Sequence, residues 1–208
     1  MDTLIDIIEE QKKSKVRFLV DKRAGEFEGS FNKSENGIFL ELCFCLLTAN
    51  FNAKRTIEIH TRIGDRFLTL KEVELAKLLK KVGYRFPNTR AKYILEARKY
   101  KKELFQILKT SKNEDEIREW LVENIKGLGY KESSHFLRNI GFKNFAILDF
   151  HVIDVLEKHG IVRDPKPLNK KRYLKIEEKL REIGKKTDLN MEKLDLYLFY
   201  LETGQVLK

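Results

Sequence analysis

Very little in this sequence can break a chain or brace it covalently. Its 208 residues include 3 prolines and 2 cysteines. So few prolines leave long stretches free to take helical hydrogen bonds. Two cysteines cannot build a disulfide framework, nor the four-thiolate set of an iron–sulfur cluster. Cys43 and Cys45 both lie in the apolar run 40–47, where buried thiols are expected. No apolar run approaches the roughly 20 residues that cross a bilayer. The start, Met1-Asp2-Thr3-Leu4-Ile5-Asp6, lacks the basic-then-apolar order of a signal peptide. A cytoplasmic location is therefore expected. His60, His135 and His159 show no metal-ligand spacing with cysteines or acids, so no metal is expected.

What the chain does have is charge. Lys and Arg number 42 against 32 Asp and Glu, a formal net charge of +10 with a pI near 9.4. A solvated lysine-rich surface accounts for many charges but less well for the imbalance, which favours a polyanionic partner, most simply nucleic acid. Alternating strand patterns are almost missing, and helical periodicity runs nearly throughout, so the fold class is all-α. Helices are expected over residues 4–20, 35–50 (apolar almost all round, hence central and buried), 52–63, 70–82, 87–108, from 113 to the hairpin, from about 131 to the stop at Gly141, after Asp149 (carrying Val152, Ile153, Val155 and Leu156), 170–184 and 190–201. The 87–108 helix is expected to expose Arg90, Lys92, Arg98, Lys99, Lys101 and Lys102. Residues 23–32 and 162–167 read as connectors.

The segment from 124 to 154 is the most informative. Ile117, Trp120, Leu121 and Ile125 recur at helical spacing, then Gly127-Leu128-Gly129 allows a very tight turn. A second helix starts near Lys131, with Phe136, Leu137 and Ile140 inward, and Gly141 stops it. A glycine hairpin of this kind aims backbone N–H groups outward at the positive end of a helix, which suits a phosphate; it also suits an ordinary helical corner. Asp149 follows the apolar run Phe145-Ala146-Ile147-Leu148 and precedes another helix, where it is a natural N-cap. Lys131, taken alone, reads equally as a solvated surface lysine.

Together, the G-x-G-x-K hairpin and an aspartate-capped helix eighteen residues later resemble the helix-hairpin-helix DNA glycosylase superfamily. The likeness is to the archaeal-type 8-oxoguanine DNA glycosylase/AP lyases, small chains without an iron–sulfur cluster that end in lysine. It extends to Leu47-Thr48-Ala49-Asn50, Tyr84-Arg85-Phe86-Pro87-Asn88 and Thr203-Gly204-Gln205-Val206-Leu207-Lys208. The resemblance implies two helical lobes, residues 33–143 with the hairpin and residues 1–32 plus 144–208. It implies double-stranded DNA carrying 8-oxoguanine or abasic sites as the partner, a monomer, Lys131 as nucleophile and Asp149 as its partner. It also implies a strand-cleaving enzyme working through a lysine Schiff base and β-elimination.

Such an enzyme needs a neutral amine, a carboxylate near a developing oxocarbenium ion, and a pocket for a base taken out of the stack. Phe86, Phe199 and Lys208 are the candidates for that pocket. Asn50, Asn52 and Arg55 are candidates for the side facing the opposite base, although a helix cap and an exposed arginine explain them as well. His151, two residues past the cap, reads as a neutral histidine bonded to backbone or to Asp149. Three alternatives stay open: a non-enzymatic helix-hairpin-helix DNA-binding module, a glycosylase for oxidised pyrimidines, and a lyase for abasic sites.

Overall fold

Residues 4–20, expected as one helix, form parts of two, and the reason is Ser14. In the computed structural model α1 spans Asp2–Lys12 and α2 spans Lys15–Ser30. The Ser14 hydroxyl donates back to Gln11 O at 2.8 Å and accepts the Val16 N–H at 3.1 Å, ending one helix and starting the next. The connector expected over 23–32 is helical as far as Ser30, despite Gly25 and Gly29. Val20, Ala24 and Phe27 are buried along one face, and that burial outweighs the poor helix propensity of glycine. The structure describes residues 1–30, 32–163 and 167–208. Phe31 in the first expected connector, and Asp164, Pro165 and Lys166 in the second, lie outside the described residues.

Helices make up most of the rest of the described residues, joined by short turns and one longer stretch from 140 to 149. α3 is Glu35–Thr48, α4 Ala53–Ile63, α5 the short Arg66–Thr69, α6 Glu72–Lys81 and α7 Pro87–Ala97. A 3-10 turn at Arg98–Tyr100 separates α7 from α8, Lys101–Thr110. α9 is Glu114–Asn124, α10 Tyr130–Asn139, α11 Phe150–Lys158, α12 Lys170–Thr187 and α13 Met191–Thr203. α3 is buried on every face from Ile38 to Thr48, as its uninterrupted apolar pattern requires. Both thiols are buried there, and burial pushes the Cys43 thiol up.

The expected 87–108 helix is broken, and its exposed basic stripe needs correcting. Arg90 is 7% exposed; its Nη2 donates to Ala49 O at 2.8 Å and its Nε to Tyr84 Oη at 3.3 Å. Arg98 donates to Phe67 O and to Leu70 O, at 2.8 and 2.7 Å for Nε and Nη1. Both arginines satisfy carbonyls at the ends of neighbouring helices, a use of charge that periodicity cannot distinguish from a solvated face.

Two compact units divide the chain. Unit 1 contains residues 1–29 and 137–208; unit 2 contains residues 30–136. The second division falls inside α10, so the helix that opens with Tyr130 ends in unit 1. Unit 2 is built on α3, against which α4, α5, α7 and α8 pack. In unit 1, α11 and α13 pack together, and α1 meets α12 and α13. Val16, Val20, Phe27, Leu196 and Tyr197 form one core cluster there, with Val206 laid against it.

Candidate active site

In unit 2 the hairpin is fixed from below before any ligand is considered. α9 ends when Ile125 N–H bonds to Leu121 O, and Leu128 N–H returns to Ile125 O at 3.1 Å. Ile125 and Leu128 are buried, which pins the turn. Gly127 has φ +95, and a Cβ built there would lie 2.4 Å from Tyr93 Cδ2. Its backbone therefore rests on the Tyr93 ring, and only glycine fits. Arg90 and Lys126 also lie over that ring, at 5.6 and 5.7 Å from its centroid.

Gly129 differs from Gly127. It stands at the N-cap of α10, where its carbonyl accepts the Ser133 N–H at 2.9 Å. A Cβ there would meet only Glu132 Oε2, at 3.5 Å, an ordinary contact. Glu132 reaches back to accept the Gly129 N–H at 3.3 Å, which is half of a capping box. Lys131, in the first turn, has Nζ 3.0 Å from Glu132 Oε1. Beneath that turn Arg118, 2% exposed, bonds to Asp115 Oδ1 at 3.0 Å and stands 5.3 Å from the Tyr130 ring centroid. The Tyr130 hydroxyl bonds to Glu119.

The candidates for the opposite-base side are also in unit 2. Asn50 is exposed with φ +59, one of two non-glycine residues in the left-handed region among those described. The turn that strains it is held by Tyr84, whose hydroxyl donates to Leu47 O at 2.8 Å and whose ring packs 4.6 Å from Phe51. Burial raises the Tyr84 phenol above its ordinary range. Asn52 is a helix cap, its side chain accepting the Arg55 N–H at 3.0 Å. The Arg55 guanidinium lies against Gly83, where a Cβ would come within 2.6 Å of Nη2. Phe86 is half-buried at the start of α7, with Arg85 over its ring at 4.9 Å.

In unit 1, Asp149 caps α11 with extended backbone, its Oδ1 accepting the Val152 N–H at 2.9 Å. The carboxylate is half-buried at the positive end of a helix that favours its charge. Next to it Phe150 is 67% exposed, its ring centroid 3.8 Å from that of His151 in a tilted contact, and the His151 ring meets Phe199 edge-on at 5.1 Å. His151 thus belongs to an aromatic group that includes Phe199. Lys208 is half-buried, two residues past the Val206 that packs on the core. The sequence-derived candidates therefore sort by unit: Lys131, the hairpin, Phe86, Asn50, Asn52 and Arg55 in unit 2, and Asp149, Phe199 and Lys208 in unit 1.

A family of 8-oxoguanine DNA glycosylases matches residues 20–189. The chain belongs to this family. An 8-oxoguanine DNA glycosylase/AP lyase of Korarchaeum cryptofilum is 49% identical over 100% of this chain and 99% of its own length. The crystal structure of the Methanocaldococcus jannaschii 8-oxoguanine glycosylase/lyase, in complex with 15mer DNA containing 8-oxoguanine, matches with a TM-score of 0.96 at 48% identity, covering 99% of this chain and all of that one. The 8-oxoguanine DNA glycosylase of Thermotoga maritima matches with a TM-score of 0.93 at 41% identity, covering 100% and 99%. Family membership makes the all-helical fold that of the helix-hairpin-helix glycosylases, and the chain's two buried thiols leave it without the cysteines for a cluster.

Sequence reasoning missed the supports of this site. Tyr93 under Gly127, Arg118 under Tyr130, and Glu132 against Lys131 carry no periodic or motif signal. Glu132, three residues after Gly129, could have been found as the N3 acid of a capping box.

Proposed function

We propose that this chain removes 8-oxoguanine from double-stranded DNA and then cleaves the strand, with Lys131 as nucleophile and Asp149 as the assisting carboxylate. The observation that carries this is Lys131 itself: an amine in the first turn of α10, directly behind a hairpin whose backbone can approach phosphate, in a chain of this family. The hairpin residues Gly127, Leu128 and Gly129 bind the DNA backbone. Asp149, at the positive end of α11, stabilises the oxocarbenium character that develops at C1′. Lys131 attacks C1′, the base leaves, and the adduct becomes a Schiff base. Loss of a proton from the sugar then allows β-elimination. The chemistry uses no metal and no organic cofactor.

Phe86 in unit 2, and Phe199 and Lys208 in unit 1, are each proposed as contacts to the flipped base. Asn50, Asn52 and Arg55 are the proposed contacts on the opposite-base side, where strained backbone at Asn50 supports a role beyond connection. A monomer acting in the cytoplasm on 8-oxoguanine or abasic duplexes completes the reading. The test is incubation with 8-oxoguanine duplex and borohydride. A covalent complex trapped by the wild-type protein and lost in Lys131→Gln is expected. Binding without trapping would favour a non-enzymatic DNA-binding module, and trapping only on oxidised-pyrimidine or abasic duplexes would redirect the substrate.

A further inference from the structure

The obstacle to a lysine nucleophile is its proton, and the structure holds an acceptor for it. Residues 131 and 132 are sequence neighbours on a helix, and such neighbours do not normally face each other. Here they meet, with Lys131 Nζ 3.0 Å from Glu132 Oε1, because Glu132 is turned back over the hairpin by its second oxygen, which accepts the Gly129 N–H. The two side chains are 26% and 16% exposed, so a ligand covering the hairpin would remove most of the remaining water from the pair.

Resting on Lys131 as the nucleophile, we propose that Glu132 is a further catalytic residue: it takes the ammonium proton of Lys131 before attack and gives it to the departing base. In the first step an Nζ–H bond breaks and an O–H bond forms on Glu132 Oε1, so an ion pair becomes a neutral amine and a neutral acid. Exposed to water, opposite charges favour the ionic form; under DNA, desolvation penalises both charges and favours the neutral one. The lone pair left on Nζ then forms the bond to C1′ as the glycosidic bond breaks and its electron pair leaves with the base. The base takes the proton from Glu132, the carboxylate is restored, and the nitrogen on the sugar carries the positive charge. The attachment to Gly129 keeps Oε1 in place during the transfer.

Other charged groups surround this turn. From α9 come Asp115, Arg118 and Glu119, the first two bonded to each other and the third to the Tyr130 hydroxyl. Lys126 lies over the Tyr93 ring, and His135, further along α10, meets Phe44 edge-on. Each has a partner of its own, whereas Glu132 is the acid on Lys131 Nζ.

The proposal fixes a pH profile. Passing the proton from Nζ to Oε1 leaves the number of protons on the pair unchanged, so across an assay run from about pH 6 to 9 the transfer itself has no pH dependence. The fraction with a neutral amine is then constant, and the trapping rate should be flat. Glu132→Gln keeps an oxygen for the Gly129 N–H but cannot take the proton. Its ammonium must lose the proton to solvent, so the rate should rise about tenfold per pH unit over the same range. The measurement is single-turnover trapping on a preformed abasic duplex with cyanoborohydride, with duplex affinity and circular dichroism confirming that each variant folds and binds. Glu132→Asp should restore a flat profile at a lower rate. A flat profile for Glu132→Gln, or a tenfold slope for the wild type, overturns the proposal while leaving Lys131 as nucleophile. Undiminished trapping by Lys131→Gln overturns the reading of Lys131 itself, and the proposal with it.

Discussion

Two helix starts carry the proposed chemistry, and they are built in opposite ways. α11 in unit 1 starts conventionally: Asp149 has an extended backbone and gives one oxygen to the Val152 N–H. α10 in unit 2 starts at a glycine with no side chain to offer, and the acid that supports it, Glu132, comes from inside the helix and bonds outward to Gly129. A cap from outside holds a carboxylate at the helix's positive end, facing whatever approaches. A glycine cap leaves the helix mouth open to a phosphate and brings the helix's own acid onto the lysine beside it. The same electrostatic feature thus serves a fixed anion in one unit and a reactive amine in the other.

The contrast breaks most completely at Lys131. Lys131→Gln removes the amine but neither the hairpin nor the Glu132 bond to Gly129, so duplex affinity should survive while borohydride trapping and base release fall to background. Asp149 gives the next largest effect. Asp149→Asn retains a capping oxygen and loses the charge, so melting should hardly change while base excision falls by about 10²–10³. Asp149→Ala should add a stability loss of about 1 kcal/mol from the missing cap. If Asp149→Asn excises at the wild-type rate, the two helix starts differ only in architecture.

How much of this was legible depended on whether a residue's role is local. The caps at Asn52 and Asp149 were legible because a short polar side chain bonds to the next turn, and the structure shows each bond, as it does at Asn113, Asn169 and Asn190. Gly127 and Lys131 were legible because a tight turn and its flanking residue occupy adjacent positions. Arg90 and Arg98 were misread because their partners, Ala49 O, Phe67 O and Leu70 O, are distant in sequence. The break at Ser14 was missed because the apolar residues on either side share one periodicity. The α2 continuation through Gly25 was missed because only tertiary burial of Phe27 decides it.

The two hairpin glycines sharpen the comparison further. Gly127→Ala combines positive φ with a collision against the Tyr93 ring, and should cost about 2 kcal/mol or more, read as a lower melting temperature. Gly129→Ala meets only an ordinary contact and should leave melting close to wild type. Gly129→Val should weaken binding to all duplexes alike, since it obstructs the backbone's approach to phosphate. A loss confined to lesion-bearing DNA would assign Gly129 to base recognition.

A third helix start supplies the smallest effect. Glu192, in the first turn of α13 in unit 1, is fully buried, and neither carboxylate oxygen has a hydrogen-bond partner among the described residues. Burial pushes it up to about 7, with Lys143 and Arg138 opposing the shift. Asp195, one turn on and 2.6 Å from Arg138 Nη1, is also pushed up to about 7 by burial, with the charge of Asp149 adding to the effect. Both acids hold protons in the folded protein that they would lose on unfolding between about pH 4 and 7. Stability should therefore be greatest below about pH 4 as far as these two groups decide it, fall as pH rises to about 7, and level off above. Glu192→Gln supplies the neutral form at every pH, so it should raise the melting temperature at about pH 7.5 and do so much less at about pH 5. The part of the slope due to Glu192, at most about 1.4 kcal/mol per pH unit, should disappear, and that due to Asp195 should remain. An equal gain at both pH values would mean that Glu192 is ionised in the folded protein across the whole range, and that a buried helix start can keep a carboxylate charged without a bond to the N–H groups of its turn.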